Sequence, residues 1–182
     1  MPDEQTAPFP LTSPDSDQSP DARRQAVMAV LAEAAPGALA RLYQAYGDVP
    51  MHEPVRSPET GLVMVRGRMG GTGSPFNLGE VTVTRCVIRL ATGQTGSSYI
   101  LGRHKTHALQ AALFDALWQH PDHCRQVEES VIAPLAALEA AASGATMVLS
   151  DRSSERDYFG DLVEYCDPGD VNSIRAALQS AL

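Results

Sequence analysis

The spacing of apolar residues changes along the chain, and each change marks an element. Residues 1–18 show no periodicity and are rich in Pro, Ser and acids, a composition expected of a disordered leader. Ser19-Pro20-Asp21 then reads as a helix start, with Ser19 as the cap and Pro20 at the first helical position. Val27, Val30, Leu31 and Ala34 share one helical face. Pro36-Gly37 breaks that helix. Leu39, Leu42, Tyr43 and Tyr46 stripe a second short one, ended by Gly47.

The period then drops to two. Pro50 to Thr60 holds three prolines and reads as a connector, so the first strand is expected over Gly61–Met69. After a glycine-rich loop, a longer strand runs from about Glu80 to Leu90. It sets Thr82, Thr84, Cys86, Ile88 and Leu90 on one face and Val81, Val83, Arg85, Val87 and Arg89 on the other. Ala91-Thr92-Gly93-Gln94 has hairpin chemistry, and a third strand follows near Thr95–Leu101. Short links between consecutive strands predict an antiparallel meander.

Helical spacing returns from Arg103 to Gln119. Ala108, Leu109, Ala111, Ala112, Leu113, Phe114, Ala116, Leu117 and Trp118 make this helix apolar almost all round, so it must be covered on several sides. The sheet covers one, and a partner protein is expected to cover the rest. Asp115, inside it, needs a donor if buried. A further helical stretch spans about Val127–Ala142, interrupted or restarted at Pro134. Residues 144–182 differ in composition and suggest strand, loop, strand and helix, the helix opened by Asp167-Pro168-Gly169-Asp170. The expected organisation is a leader (1–18), a main domain (19–143) and a divergent tail (144–182). The fold class is α+β: N-terminal helices, a central antiparallel β-meander with a glycine-rich connection, then apolar helices.

Charge and cysteine content narrow the function classes. The net charge of −8 argues against a general nucleic-acid binder. From Arg66 to Lys105, however, six cations face one acid, Glu80; that window carries +5 and the rest of the chain −13. A basic middle in an acidic protein suggests an anionic ligand or an acidic partner surface, or arginines paired with acids from other segments. Cys86, Cys124 and Cys166 are too far apart in sequence for a zinc pattern and make no disulfide framework. No apolar run is long enough to span a membrane, and the N-terminus lacks a signal peptide's basic start and apolar centre, so a cytoplasmic location is expected.

Gly70, Gly71 and Gly73, beside Arg66 and Arg68, raise the question of phosphate. Nucleotide-binding glycine loops lead from a strand into a helix, whose N-terminus faces the phosphate. Here a strand follows, and both G-x-G-x-x-G and the G-K-[ST] ending are absent. A tight inter-strand connection accounts for the glycines structurally, and backbone N–H groups in such a loop can still form an anion nest.

The blocks RMGGTG (68–73), N-LGE-TVTR (77–85), GR-x-x-x-H-A (102–108) and V-IAPL (131–135) together resemble the PhnG family over about residues 20–143. That family is the G subunit of the bacterial carbon–phosphorus lyase core complex. The resemblance implies assembly with the H, I and J subunits of that pathway. It implies support for a reaction in which an alkylphosphonate such as methylphosphonate displaces adenine from ATP, giving α-D-ribose 1-alkylphosphonate 5-triphosphate. In that picture the I subunit carries the chemistry, the iron–sulfur subunit J later breaks the C–P bond, and the G subunit is an accessory partner with no cofactor of its own. The family pattern usually has an acid at the position of Leu109 and often one at His104; this chain departs at both. The stretch YFGDLVEYCDPGDVNSIRAAL is similar to the last strand and helix of family-one glycosyltransferases, but it carries no complete site.

The candidate anion-binding or interface residues are therefore Arg66, Arg68, Gly70, Gly71, Gly73, Glu80, Arg85, Arg103 and His107. Glu80 is expected to pair with Arg68 or Arg85 across strands. His104 and His107, three apart, share a side at a helix start, but a metal site needs more ligands than these, and no catalytic set is evident. The alternatives are a stand-alone anion-binding or interaction domain, and a small enzyme using Arg68, Glu80 and His107.

Overall fold

The computed structural model describes residues 19–69, 73–152 and 163–181. The chain opens with α1 (Pro20–Glu33) and α2 (Pro36–Tyr46). The Ser19 hydroxyl accepts the Ala22 N–H at 3.3 Å, and Pro20 occupies the first turn. Pro36 starts α2, whose axis lies at 112° to that of α1, and Gly47 ends it. Val27, Leu31, Leu39, Leu42 and Tyr46 are buried, as their spacing predicts.

Three strands follow in meander order, antiparallel throughout: β1 (His52–Arg68), β2 (Pro75–Leu90) and β3 (Thr95–Leu101). Both long strands exceed the sequence expectation. The Pro50–Thr60 connector is mostly strand: His52 to Thr60 pairs with β2 from Leu90 back to Thr84. Pro54 and Pro58 are tolerated because β1 is an edge strand whose outer N–H groups have no ladder to join, and register shifts between Pro54 and Glu59 absorb the irregularity. On β2, Thr84, Cys86, Ile88 and Leu90 are buried, the expected inward face.

That face receives α3 (Lys105–Trp118). Ten of its residues are buried, from His107 to Leu117. The partner expected to cover this helix is not required: the sheet, α1, α2 and α4 (Cys124–Val127) enclose it within the chain. Tyr43 and Tyr46 set their rings edge-on to Phe114, with centroids 6.2 and 5.4 Å away. Gly96 lets β3 approach closely, since a Cβ there would overlap the Ala112 carbonyl oxygen and Ala116. Asp115, fully buried, finds its donors: Arg24 Nε and Nη2 at 2.9 and 2.8 Å, and the Ser97 N–H at 2.8 Å. This pair pins α1 to α3 and to β3.

The helical stretch beyond α4 is not interrupted at Pro134. It widens into one π-helical turn (Glu128–Ile132) and continues as α5 (Ala133–Ala142). Pro134 cannot donate to the preceding turn, and the Ala133 N–H reaches Glu128 O, five residues back. The last described elements are β4 (Val148–Ser150) and β5 (Glu164–Cys166), paired in parallel, and α6 (Val171–Ser180), packed on β5 and capped by Asp170. Among the described residues no single helix is long and apolar enough to cross a membrane.

Candidate interaction surface

Among the described residues, the buried positions of β2 and β3, such as Thr84, Cys86, Ile88, Ser98 and Ile100, all lie on the face that receives α3, and none lies on the opposite face. Register places Val63 beside Val81, Val83 beside Leu101, and Arg85 beside Tyr99. Directly opposed residues share a face, so these side chains form one continuous outer surface. None of them is buried, and Tyr99 and Leu101 are 58% and 69% exposed. A patch of this kind on a protein that already has a complete core is a candidate interaction site.

The sheet also narrows. β3 pairs with β2 only from Arg89 to Val83, and Gly102 N–H closes that edge on Thr82 O at 2.7 Å. Beyond it, Leu62–Arg68 and Pro75–Thr82 continue as a two-stranded ribbon. At the rise of a strand, Arg68 lies about 13 Å beyond Met64, the partner of Glu80. Phe76 and Leu78 both lean over Gly67, with side-chain carbons 3.5 and 3.8 Å from where a Cβ would sit. They therefore extend the outer apolar surface along the ribbon. Leu62, Met64, Arg66 and Arg68 alternate to the other face, where Glu80 stands opposite Met64. Leu62, Met64 and Leu78 are all largely exposed, so the ribbon shows apolar side chains on both faces.

The sequence-derived candidates do not converge. Arg66, Arg68 and Glu80 occupy the ribbon, and Gly73 lies just before its second strand; Arg68 Nη1 donates to Gly73 O at 3.3 Å, and Gly73 N–H donates to Met69 O at 3.0 Å. Gly70 and Gly71 lie outside the described residues. Arg103 is exposed where β3 stops. Arg85 is engaged with Glu59 at 2.7 Å, not with Glu80, because β1 extends far enough to bring Glu59 opposite it. That hydrogen bond and charge raise the Arg85 pKa above its ordinary value. Glu80 forms no ion pair among the described residues. His107 is a core residue. Its Nε2 lies 2.8 Å from Leu31 O and so carries the proton, while Nδ1 has no partner among the described residues. Burial lowers its pKa against the opposing pull of the Leu31 bond, and His104 lowers it further. His104 itself is exposed at the helix start, so the two histidines part company.

This geometry is poor for chemistry within the chain. Arg68, Glu80 and His107 cannot meet at one substrate, and among the described residues no group of three metal-binding side chains exists. Cys86 is sealed in the core, where burial raises its thiol pKa, the opposite of nucleophile activation. An open groove of about 730 Å³ lies between α1, α2 and α5, lined by aliphatic residues such as Val30, Ala38 and Leu135. None of the sequence-derived candidates lines it. The outer apolar face was missed by sequence reasoning, although LVMV at 62–65 and the Val81/Val83 alternation were its signal: apolar residues on both faces of a strand with helices from only one side.

Comparison with known proteins fixes the relationship. The family model described as phosphonate metabolism protein PhnG matches residues 22–150. This chain belongs to the PhnG family. One relative, the alpha-D-ribose 1-methylphosphonate 5-triphosphate synthase subunit PhnG of Rhizobium meliloti (strain 1021), is 50% identical over 113 residues, which cover 62% of this chain and 72% of that protein. The PhnG match takes in both N-terminal helices, the whole sheet and ribbon, and α3 to α5, and it runs on into β4.

Proposed function

We propose that this chain is the G-type subunit of a complex that joins an alkylphosphonate to ATP. The observation that carries the proposal is the 50% identity to the synthase subunit of Rhizobium meliloti. In the reaction a phosphonate oxygen bonds to the ribose anomeric carbon of ATP and the bond to adenine breaks. The products are α-D-ribose 1-alkylphosphonate 5-triphosphate and free adenine, and methylphosphonate is the expected substrate. The H, I and J subunits of the carbon–phosphorus lyase pathway are the proposed partners, in the cytoplasm, with the acid–base chemistry on the I subunit.

This chain's contribution is assembly and positioning. The separation of Arg68, Glu80 and His107 supports that division of labour, as does the uncovered outer face of the sheet. Obligate interfaces are large and apolar, and this face offers such a surface without any loss of the core. Exposed arginines at 66, 68 and 103 offer additional contact to a phosphate or to an acidic neighbour.

Co-expression of the tagged chain with H, I and J subunits tests the reading. The expected result is one large particle on gel filtration that releases adenine from ATP when methylphosphonate is added, with release falling when this chain is omitted. A monomer that ignores those partners, or adenine release indifferent to its omission, would overturn it.

A further inference from the structure

We infer that the distal ribbon is an insertion arm: Leu62–Arg68 and Pro75–Thr82 enter an apolar cleft on an acidic partner subunit, which grips both ribbon faces and sets carboxylates against Arg66 and Arg68. The inference rests on the subunit reading above and names the surface and chemistry of its contact.

Three features of the ribbon carry it. The first is exposure on both sides: Leu62 on the inner face is 63% exposed and Leu78 on the outer face is 66%. A flat partner surface would cover only one of these, whereas a cleft covers both. The second is support. Among the described residues β3 pairs with β2 no further than Val83, and Leu62 and Met64 stay exposed on the side where the helices pack, and an isolated two-stranded ribbon is marginal in water. Pro54, Pro58 and two register shifts blunt the β1 edge near its start and a third shift falls between Val65 and Arg66, but Thr60 to Val65 pairs in regular register with no proline. The ribbon edge is thus left open where a partner would reach it.

The third feature is charge. Nearer the base, arginines are matched within the chain: Arg85 and Arg56 by Glu59, and Arg89 by Glu53. On the ribbon, Arg66 and Arg68 have no acidic partner among the described residues, in a chain of net charge −8 that has acids to spare. Cations left unmatched beside apolar side chains fit a protein surface that brings its own carboxylates. A second copy of this chain fits less well, because each ribbon carries two cations, Arg66 and Arg68, against one acid, Glu80, and a ribbon-on-ribbon contact would oppose two surfaces of the same net sign. A small anion would make no use of Leu62, Phe76 or Leu78.

The test uses the full chain co-expressed with the H, I and J subunits. Leu62→Asp probes the inner face, Leu78→Asp the outer face, and Arg66→Glu with Arg68→Glu the charge; Arg125→Glu, exposed on α4, is the control. Each aspartate variant is expected to weaken capture of the partners by about ten-fold or more. Charge reversal is expected to weaken it several-fold, and the control not at all. Unchanged urea midpoints of the isolated variants certify their folding. If a variant unfolds, amide exchange on the wild-type assembly replaces it, with residues 62–68 and 75–82 both expected to gain protection. Sensitivity on one face alone overturns the cleft. Full capture by every variant overturns the arm and leaves the subunit reading standing, whereas a wild-type chain that captures nothing overturns both. A homodimer broken by these same variants would assign the ribbon to a second copy and overturn the acidic partner.

Discussion

The two faces of one sheet follow opposite rules. On the inner face every apolar side chain of β2 from Cys86 to Leu90 is enclosed, and the one carboxylate brought near it, Asp115, is met by four donors: two Arg24 nitrogens, the Ser97 N–H and, at 3.4 Å, Gln119 Nε2. On the outer face and the ribbon, residues of similar size stand in solvent, and some charges lack partners. The inner face fixes the chain's own stability. The outer face adds little to it, which leaves it free to serve an assembly. The comparison predicts that substitutions divide by face, not by residue type.

The largest expected effect is at Arg24. Arg24→Met leaves Asp115, 0% exposed, without its charge partner, and breaking such a pair costs about 3–5 kcal/mol. Asp115 raises the Arg24 pKa chiefly through their hydrogen bond, so Arg24 keeps its charge across the accessible alkaline range. Urea denaturation of the isolated chain measures the loss. A change below about 1 kcal/mol would mean that α1 is not pinned as described.

A matched pair of truncations comes next. Ile88→Ala, on the inner face, should cost about 2–5 kcal/mol. Leu101→Ala, on the outer face, should stay within about 0.5 kcal/mol. Near-equal losses would erase the distinction between the faces.

How much of this was legible beforehand depends on the reach of the cause. The Ser19 cap, the break at Pro36 and the Gly47 stop are set by neighbours within a few residues, and the sequence displays them. The inward face of β2 was legible because alternation needs no partner to be seen. Pro54 and Pro58 misled, since a proline forbids a central strand but not an edge strand, and edge position belongs to the topology. The all-round apolar α3 was read as needing a second protein. Its cover came from α1, α2 and α4, and α1 is held there by the Arg24–Asp115 pair, ninety-one residues apart in sequence. The candidate arginines were visible as a charge window, but their separation into matched and unmatched groups required Glu59 and Glu53 to be placed on a longer β1.

A smaller effect should follow from His107. Its folded pKa lies below the ordinary value of about 6.5 because burial disfavours the imidazolium. Between the two pKa values the unfolded chain binds more protons, so stability rises with pH there. The contribution is complete above about pH 6.5 and is lost as pH falls from there through the folded pKa. The electrostatic effect of His104 on it works in the same direction. Urea midpoints from pH 8 down to pH 5 should be flat and then decline, and His107→Gln should flatten that decline. A decline unchanged in the variant would place the pH sensitivity elsewhere.

The smallest effect tests the outer face on its own terms. Glu59 bridges Arg85 at 2.7 Å and Arg56 at 3.5 Å, with all three side chains roughly half exposed. Exposed pairs of this kind contribute little to stability, and salt screens them. Glu59→Gln should therefore shift the urea midpoint barely at low salt and not at all in high salt. Its consequence lies elsewhere: two more arginines would join Arg66 and Arg68 as unmatched cations, enlarging the positive field toward the ribbon. If an acidic partner reads that field, the variant should associate faster at low ionic strength while its stability stays constant. A faster on-rate without a stability change would separate the two roles of the sheet within a single residue. A large stability loss instead would mean that the outer face is part of the fold's own support.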